Sequence, residues 1–459
     1  MAFMNKPVVL FFARGYQADF FPTLPCEGYQ ALFATLTRGE RARVERLGGR
    51  VVGCFEEDYA GLAQAELPES YLITSFVSDR FLGRFSHEKR REILAKEVAF
   101  WRRLLDTYLP VAVVNELVAI EISEVLLIEC RARNVRYLAG MNCLVDDYFY
   151  WLTNPLSLSG RHLRDVVPRE VSMSLARDYV RQARETDYKP FYVKNLSTRR
   201  SLRPLAVAAL KLLLWNLRKT ASVVTRRFRY EMYDDEYSKR IAVYLKSFTR
   251  RYDALGDLPE GREIVYFPLH QEPEATLNYM SEFYSNQAAT IENILKCLGG
   301  NQVLVVKEHP VDKGSLLRRK FWSLRHGYSG LYFFPAELHG RELLAVCHRV
   351  VTLTSTVGWE AALQGKTVYV LGQIFYDALE AVTAISDYEQ LKRALRTKVR
   401  EAAPDLDYLE RFVARMTEQS HPGNPFPHRD LYSERNRRLV AEAIALALSA
   451  NEVEPDGVA

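Results

Sequence analysis

Several features that would place this chain in other classes of protein are missing from its 459 residues. No run of roughly 18 or more apolar residues occurs, so we expect no transmembrane helix. The six cysteines form no C-x-x-C pair and none has zinc-ligand spacing to a histidine, so reduced thiols in a cytoplasmic protein are expected. The N-terminus has only the apolar run 8–13, closed by Arg14, which predicts a strand and not a signal peptide.

A metal-binding pattern is also missing. The D-x-D of residues 405–407 falls in a predicted helix and does not follow a strand. This position argues against a metal-dependent transferase of a single domain, because such enzymes hold the metal at the end of a strand. We therefore expect neither a metal nor another cofactor.

Acidic residues are absent from one long segment. Residues 189–229 contain eleven Lys or Arg and no Asp or Glu, although the whole chain has a net charge of only +5. Such a block favours an anionic surface as partner. Within it, the apolar residues 205–217 are too few to span a membrane but suit the membrane interface; the alternative is a core helix with a basic rim. Nucleic acid is not expected, because no aromatic and basic recognition motif accompanies the charge.

Short apolar runs alternate with amphipathic helices in both halves of the chain. This rhythm predicts parallel sheets covered on both faces. We expect an α/β protein with two Rossmann-like doubly wound domains and a cleft between them. The predicted divisions are an N-terminal Rossmann-like domain, a helical basic insertion or interdomain arm, a C-terminal Rossmann-like domain, and a C-terminal helix and tail, at 1–150, 151–260, 261–425 and 426–459.

Lys307 ends the predicted strand 302–307, and His309 and Pro310 follow it. Ligands of α/β folds bind beyond the carboxyl ends of the strands. A histidine there can donate to a phosphate or a ribose, and Pro310 is expected to fix the turn and begin the next helix. The alternative is a capped turn with a solvated histidine.

A second polar element, 354–360, follows the strand that begins at 349. Its hydroxyl groups, Ser355 and Thr356 among them, precede a helix, and helix N-termini attract phosphate. Gly358 would let the ligand approach the backbone, and Glu360 could accept from ribose hydroxyls. The alternative is an N-cap, although capping explains one hydroxyl and not three in a row.

Five further candidates end other predicted strands or turns. His270 and Glu274 could contact the donor or the acceptor, or belong to an ordinary proline-ordered loop. Arg14 could anchor an acidic acceptor, or belong to a simple βα turn. Glu116 is a candidate general base at the end of strand 111–115, and Asp147 is its rival; either could instead be a solvated surface acid.

The elements at 268–274, 307–310 and 355–366, in this order and spacing, resemble the bacterial capsule polysaccharide biosynthesis family. That family includes transferases that add 3-deoxy-manno-octulosonic acid (Kdo) from CMP-Kdo. The resemblance implies a GT-B fold, no metal and peripheral attachment to the inner membrane. It also implies that His309, Ser355 and Thr356 hold the CMP.

The leading hypothesis is therefore a metal-independent inverting glycosyltransferase of capsule or surface polysaccharide. Its partners would be a nucleotide-sugar donor, CMP-linked by resemblance, and a saccharide or glycolipid acceptor. We expect it in the cytoplasm, with the basic segment 189–229 on the inner membrane. Two alternatives remain: transfer of a polyol phosphate from a CDP-activated donor, and a non-catalytic assembly or export factor with a degenerate nucleotide fold.

Overall fold

The computed structural model describes two compact units. Unit 1 comprises Met1–Leu156, Ser222–Met232 and Gln419–Ala459, and unit 2 comprises Ser157–Ala221 and Tyr233–Glu418. The described residues are 6–68, 73–74, 81–185, 206–207, 209–210, 213–214, 216–217, 220–221, 225, 227–230, 250–272, 274–398 and 403–449.

The regular elements alternate between strand and helix along most of the chain. The strands are β1 Val8–Phe12, β2 Gln30–Thr35, β3 Val51–Cys54, β4 Ala112–Glu116, β5 Arg136–Asn142, β6 Tyr148–Trp151, β7 Glu263–Pro268, β8 Gln302–Lys307, β9 Leu331–Phe334, β10 Arg349–Thr352, β11 Thr367–Val370, β12 Val382–Ala384 and β13 His421–Pro422. The helices are Gln17–Phe20, Arg38–Arg46, Phe55–Asp58, His87–Tyr108, Glu121–Arg131, Glu170–Ala183, Ala275–Asn278, Gln287–Cys297, Arg319–Gly327, Gly340–Val346, Thr356–Leu363, Tyr388–Arg396, Leu406–Glu418 and Glu434–Ser449.

Unit 1 is built on a sheet with the strand order β3-β2-β1-β4-β5-β6-β13. Strands β1 to β5 are parallel, and β6 and β13 close the edge in the antiparallel sense. Alternate residues of β1 enter two different cores, because side chains of a strand point to opposite faces. Phe12 packs with Trp101 of helix His87–Tyr108 on one face, and Phe11 packs with Ile444 of the last helix on the other.

Unit 2 is built on a fully parallel sheet with the strand order β12-β11-β10-β7-β8-β9. Numbered within the unit, this is the order 3-2-1-4-5-6 of the Rossmann fold. Strand β8 is buried along Val303–Lys307, as expected for a strand covered on both faces. The predicted fold class, α/β with two Rossmann-like doubly wound domains, is confirmed.

Each sheet has one point where the strand order reverses. The reversal lies between β1 and β4 in unit 1, and between β7 and β10 in unit 2. Ligands of open α/β sheets bind in the crevice outside the carboxyl ends of the strands at this switch point. The residues that follow these four strands are therefore the first candidates for a binding site.

The units differ from the predicted divisions 151–260 and 426–459. Helix Glu434–Ser449 belongs to unit 1, because its apolar residues complete one of the two cores beside β1. Helix Glu170–Ala183 belongs to unit 2, where it packs on helix Leu406–Glu418, and Trp359 Nε1 donates to the Tyr179 hydroxyl at 3.0 Å.

Only part of the predicted basic segment 189–229 can be described. Residues 189–205 lie outside the described part of the chain, whereas the described residues of 206–221 are helical and exposed. In the described regions, no helix is both long enough and apolar enough to cross a bilayer.

Candidate functional site

His270 and Thr354 meet at the switch point of unit 2, just beyond the ends of β7 and β10. The Thr354 backbone N–H donates to His270 Nε2 at 3.2 Å, and Thr354 Oγ1 lies 3.0 Å from the same nitrogen. Gln287 holds the backbone of His270 from both sides, since Gln287 Oε1 accepts from its N–H at 2.7 Å and Gln287 Nε2 donates to its carbonyl at 3.0 Å. The ring of His270 is thus fixed and 5% exposed.

His309 follows the neighbouring strand β8 and is also a neutral histidine. Its Nδ1 accepts from the Val311 N–H at 3.3 Å, so its hydrogen lies on Nε2. Burial lowers the pKa of His309 to about 4, and the positive charge of Lys307 acts in the same direction. Burial, with a smaller contribution from His309, lowers the pKa of His270 to about 3. Neither imidazole carries a charge at neutral pH.

Lys307 and Glu308, which precede His309 in the chain, are both buried. Lys307 Nζ donates to the carbonyl groups of Glu308 and Ala336, at 3.1 and 3.4 Å. Burial lowers the pKa of Lys307 to about 8, although Glu308 opposes the shift. Burial also raises the pKa of Glu308 to about 7.

The Glu308 carboxyl group organises the loop that follows it. It accepts from the Tyr252 hydroxyl at 2.6 Å and from the N–H groups of Gly314 and Leu316 at 2.7 and 2.9 Å. The helix predicted at 311–326 therefore begins only at Arg319, and the expectation that Pro310 begins it was wrong. The loop replaces two turns of helix because a buried carboxyl group binds its N–H groups.

The hydroxyl-rich turn before helix Thr356–Leu363 has internal hydrogen bonds. Ser355 Oγ accepts from the Val357 N–H at 3.2 Å, so Ser355 is the N-cap. The Ser355 N–H in turn donates to Thr352 Oγ1 at 3.1 Å. Capping thus accounts for Ser355 and the contact with His270 accounts for Thr354. A capping hydroxyl oxygen that accepts from one N–H still has its own hydrogen to donate.

Gly358 is required by the protein itself. A Cβ at this position would overlap the Tyr376 side chain, whose hydroxyl donates to the Ser355 carbonyl. The group that approaches the Gly358 backbone closely is therefore the Tyr376 side chain, where a ligand had been expected. Thr356 is the first residue of the same helix and lies directly beside this contact.

Glu360 lies one turn into that helix and pairs with Arg341. Arg341 Nε is 3.3 Å from Glu360 Oε2, and Arg341 Nη2 donates to the Ala183 carbonyl at 2.6 Å. Burial raises the pKa of Glu360, while Arg341 and Lys307 oppose the shift. Arg341, Gln287 and Tyr376 carry no signal of their own in the sequence, because nothing in the local pattern links each of them to its partner elsewhere in the chain. Glu274 precedes the short helix Ala275–Asn278, and its carbonyl accepts from the N–H of Leu277 at 3.2 Å.

Arg14 and Glu116 meet at the switch point of unit 1. Arg14 Nη2 donates to Glu116 Oε1 at 2.6 Å; the Arg14 side chain is 8% exposed and that of Glu116 is 25% exposed. Asn115, beside Glu116, donates from Nδ2 to the Tyr137 hydroxyl at 2.7 Å. Two residues that were predicted separately, one for acceptor binding and one for catalysis, thus form a single ion pair.

The first βα turn of unit 1 is filled by a carboxylate of the protein. Glu40 Oε1 accepts from the Gly15 N–H at 2.8 Å, and Oε2 accepts from the N–H groups of Leu36 and Thr37 at 3.2 and 2.9 Å. Dinucleotide-binding folds place a phosphate at this turn. Its only sequence signal is the capping box Thr37-x-x-Glu40.

Asp147 lies away from the switch point. It occupies the turn between β5 and β6 with a left-handed φ of 62°, its side chain is exposed, and its carbonyl accepts from the Gly423 N–H at 2.8 Å. Of the two predicted bases, Glu116 alone ends a strand at the switch point of the sheet. Among the described residues, no group of three or more His, Cys, Asp or Glu is placed to hold a metal ion.

Residues 219–409 match the family described as Capsule polysaccharide biosynthesis protein. The predicted family resemblance is confirmed. The match covers less than half of the chain and contains all three sequence elements that carried the resemblance, at 268–274, 307–310 and 355–366.

Two curated relatives match shorter segments. The chain is 30% identical over 159 residues to Protein FixF of Sinorhizobium fredii (strain NBRC 101917 / NGR234), which is 34% of this chain and 37% of the relative. It is 36% identical over 77 residues to the Capsule polysaccharide export protein KpsS of Escherichia coli, which is 16% of this chain and 20% of the relative. These matches span well under half of each relative.

One solved structure to which the chain can be aligned is Thermosulfurimonas dismutans KpsC, beta Kdo 2,7 transferase. The sequences are 12% identical, the alignment covers 91% of this chain and 97% of that one, and the TM-score is 0.36.

Replacing Glu308 with Gln should destabilise unit 2. The amide has one accepting oxygen, so its NH₂ group would face the N–H of Gly314 or Leu316, and a buried donor left unsatisfied costs about 1–3 kcal/mol. Urea unfolding of wild type and Glu308→Gln measures the loss, and hydrogen exchange at the amides of Gly314 and Leu316 localises it. Glu389→Gln is the matched control, because that side chain is 71% exposed. Equal stability of the two variants would contradict the role of Glu308.

The pKa of His309 predicts a dependence of stability on pH. Its folded pKa of about 4 lies below the unfolded value of about 6.5. Between these values the unfolded chain binds a proton that the native protein does not, so the stability due to His309 is lost as the pH falls from about 6.5 to 4. The free energy of unfolding of wild type, relative to His309→Ala, should decline by up to about 1.4 kcal/mol per pH unit.

Urea unfolding at several pH values between 4 and 7, in the absence of ligand, measures this difference. Glu308 contributes in the opposite direction, because its raised pKa makes the native state bind a proton more strongly than the unfolded state between about pH 4.5 and pH 7. This contribution is present in both proteins, so it cancels in the comparison. A difference that does not change with pH would show that His309 is not buried in its neutral form.

Proposed function

We propose that this chain is a glycosyltransferase of capsule or surface polysaccharide biosynthesis that uses a CMP-linked sugar acid of the Kdo type. One observation carries the proposal: neutral histidines and a capped hydroxyl turn gather at the carboxyl edge of β7, β8 and β10 in unit 2. In unit 1 the corresponding first turn is filled by Glu40. The nucleotide is therefore assigned to unit 2 and the saccharide or glycolipid acceptor to unit 1.

The donor phosphate lies against the N-terminus of helix Thr356–Leu363. His309 Nε2–H and the hydroxyl of Ser355 donate to its oxygens, and the helix dipole favours its negative charge. Lys307 contributes a buried positive charge beneath the site, and Thr356 adds a second hydroxyl. Pro310 and Gly358 shape the turns that carry these groups. Glu360 accepts from a ribose hydroxyl, and Glu274 contacts the donor or the acceptor.

The transfer is metal-independent and inverting. A carboxylate removes the proton of the acceptor hydroxyl, the acceptor oxygen bonds to the anomeric carbon, and the bond from that carbon to the phosphate oxygen breaks. The CMP leaves with its electron pair, stabilised by donors that are already in position. We assign the base to Glu116 before Asp147, because Glu116 ends a strand at the switch point. Arg14 then orients Glu116 and attracts an acidic acceptor.

We further propose that the basic segment 189–229 holds the protein at the inner membrane. The described helical residues Val207, Leu210, Leu214 and Leu217 are 51%, 57%, 43% and 59% exposed. Their spacing of three and four places them on one face of the helix. Apolar side chains flanked by Lys and Arg, without acidic residues, suit a bilayer of anionic lipids.

A nucleotide panel tests the donor. CMP should raise the thermal stability of wild type more than CDP, UDP or GDP, because a ligand at about 100 times its Kd stabilises the native state by about 2.7 kcal/mol. His309→Ala should lose this stabilisation and should no longer release CMP from CMP-Kdo. His326→Ala is the control, since that histidine lies exposed at the end of helix Arg319–Gly327.

The other results of this panel point to other functions. A clear preference for CDP would replace the proposal with transfer of a polyol phosphate. Stabilisation by no cytidine nucleotide would replace it with a non-catalytic assembly or export factor. Unchanged turnover in His309→Ala would remove that residue from the donor site.

Vesicle sedimentation tests the membrane assignment. Wild type should bind vesicles that contain phosphatidylglycerol and should bind vesicles of phosphatidylcholine at least about tenfold more weakly, since each basic residue near an anionic surface contributes about 1 kcal/mol. The double substitution Leu210→Asp and Leu214→Asp should abolish binding. Leu446→Asp is the matched control, as Leu446 is 62% exposed in the last helix. Equal binding to both kinds of vesicle would contradict the proposal.

A further inference from the structure

The tautomer of His270 follows from its hydrogen bonds. A backbone N–H can only donate, so the contact from Thr354 requires Nε2 of His270 to be the acceptor. The hydrogen of the neutral ring is therefore on Nδ1. This Nδ1 is buried and has no hydrogen-bond partner within the described residues. Buried donors in folded proteins nearly always have a partner, so an unpaired one calls for an explanation.

The structure holds this unpaired donor in place. Gln287 fixes the backbone of His270 by accepting from its N–H and donating to its carbonyl, and Thr354 fixes the far nitrogen of the ring. Rotation of the ring would break the contact with Thr354. The donor on Nδ1 is therefore held unpaired in a fixed ring, and a buried polar group without a partner is a candidate for contact with a ligand.

The position of His270 indicates what kind of ligand would satisfy it. The ring lies at the switch point of unit 2, bonded to the residue that precedes the N-cap Ser355 of helix Thr356–Leu363. It is also close enough to His309 for the two rings to interact electrostatically. His309 presents Nε2–H, because its Nδ1 accepts from Val311. Two N–H donors of fixed tautomer and a helix N-terminus suit an oxyanion with several accepting oxygens.

We propose that His270 is a second phosphate-binding residue, whose Nδ1–H donates to a phosphate oxygen of a nucleoside monophosphate beside the Nε2–H of His309. The identity of the nucleotide rests on the function proposed above. The two neutral imidazoles share one anion, and neither must lose a proton when the nucleotide departs. Ground-state attraction to the product is then weaker than it would be for two imidazolium groups, which favours release.

Two substitutions of similar size separate a phosphate contact from a merely structural one. His270→Met can neither accept from Thr354 nor donate, whereas the amide of His270→Gln can do both. Affinities for CMP and for cytidine are measured with wild type and with each variant. We expect His270→Met to weaken CMP binding about 10- to 100-fold with cytidine unchanged, as for a lost hydrogen bond to a charged group. His270→Gln should keep most of the CMP affinity.

Two results with His270→Met would contradict the proposal. A parallel loss of CMP and cytidine affinity in His270→Met would mean that His270 only supports the turn at Thr354. Unchanged CMP affinity in that variant would also overturn the proposal.

Failure of the proposed function is distinguishable from failure of this inference. If wild type binds neither CMP nor cytidine, the proposed function fails, and titration with inorganic phosphate decides the role of His270. Nitrogen NMR of histidine-labelled protein should show His270 as the Nδ1–H tautomer, assigned by its loss in His270→Gln, with Nδ1 shifting on phosphate binding. An Nε2–H tautomer, or no shift at saturating phosphate, would overturn the inference.

Discussion

The hydrogen bond from Thr354 to His270 is the contact on which the rest of the site depends. It joins the ends of β7 and β10, the two strands between which the sheet of unit 2 reverses its order. Because both partners are buried, the contact fixes the tautomer of the histidine and the path of the turn that begins the next helix. The N-cap Ser355, the first turn of helix Thr356–Leu363 and Tyr376 against Gly358 are all built on that turn.

The two units have different kinds of residues at the switch points of their sheets. In each, the switch point brings two chain segments together at the carboxyl edge of the sheet. Unit 1 closes this point with charges of its own: Arg14 pairs with Glu116, and Glu40 takes the N–H groups that a phosphate would otherwise bind. Unit 2 has the neutral imidazole of His270 at this point, bonded to Thr354, with a buried N–H donor on Nδ1. This contrast is the physical reason for proposing that the nucleotide binds to unit 2.

Burial sets the charges of the site in unit 2. Desolvation disfavours the ionised form of every group, so the pKa values of both histidines and of Lys307 fall while that of Glu308 rises. The consequence is that the two imidazoles at this edge of the sheet are neutral, and Lys307 is the charged group beneath them.

The sequence by itself determined most of the alternation of strand and helix, and it located the motifs at the ends of strands. These are properties of neighbouring residues: continuous apolar runs, the hydroxyl groups before a helix and the proline after a strand. It did not reveal β2, because the short run Gln30–Thr35 becomes a central strand only through its pairing with β1 and β3. Nor did it reveal that helix Arg319–Gly327 begins late. The start is delayed because the buried Glu308 carboxyl group accepts from the N–H groups of Gly314 and Leu316, and also from the hydroxyl of the distant Tyr252.

Only the tertiary structure decided which polar residues work together. His270 and Thr354 are 84 positions apart, and Arg14 and Glu116 are 102 apart. No periodicity or motif spans such distances, because the strand order that brings these residues together is set by the packing of whole helices and sheets. The sequence identified His270, Arg14 and Glu116 as candidates. It did not reveal the role of Thr354, and it did not identify Gln287, Arg341 or Tyr376. Burial and hydrogen bonding then decided which hydroxyl caps a helix, which carboxylate is paired and which histidine nitrogen carries the hydrogen.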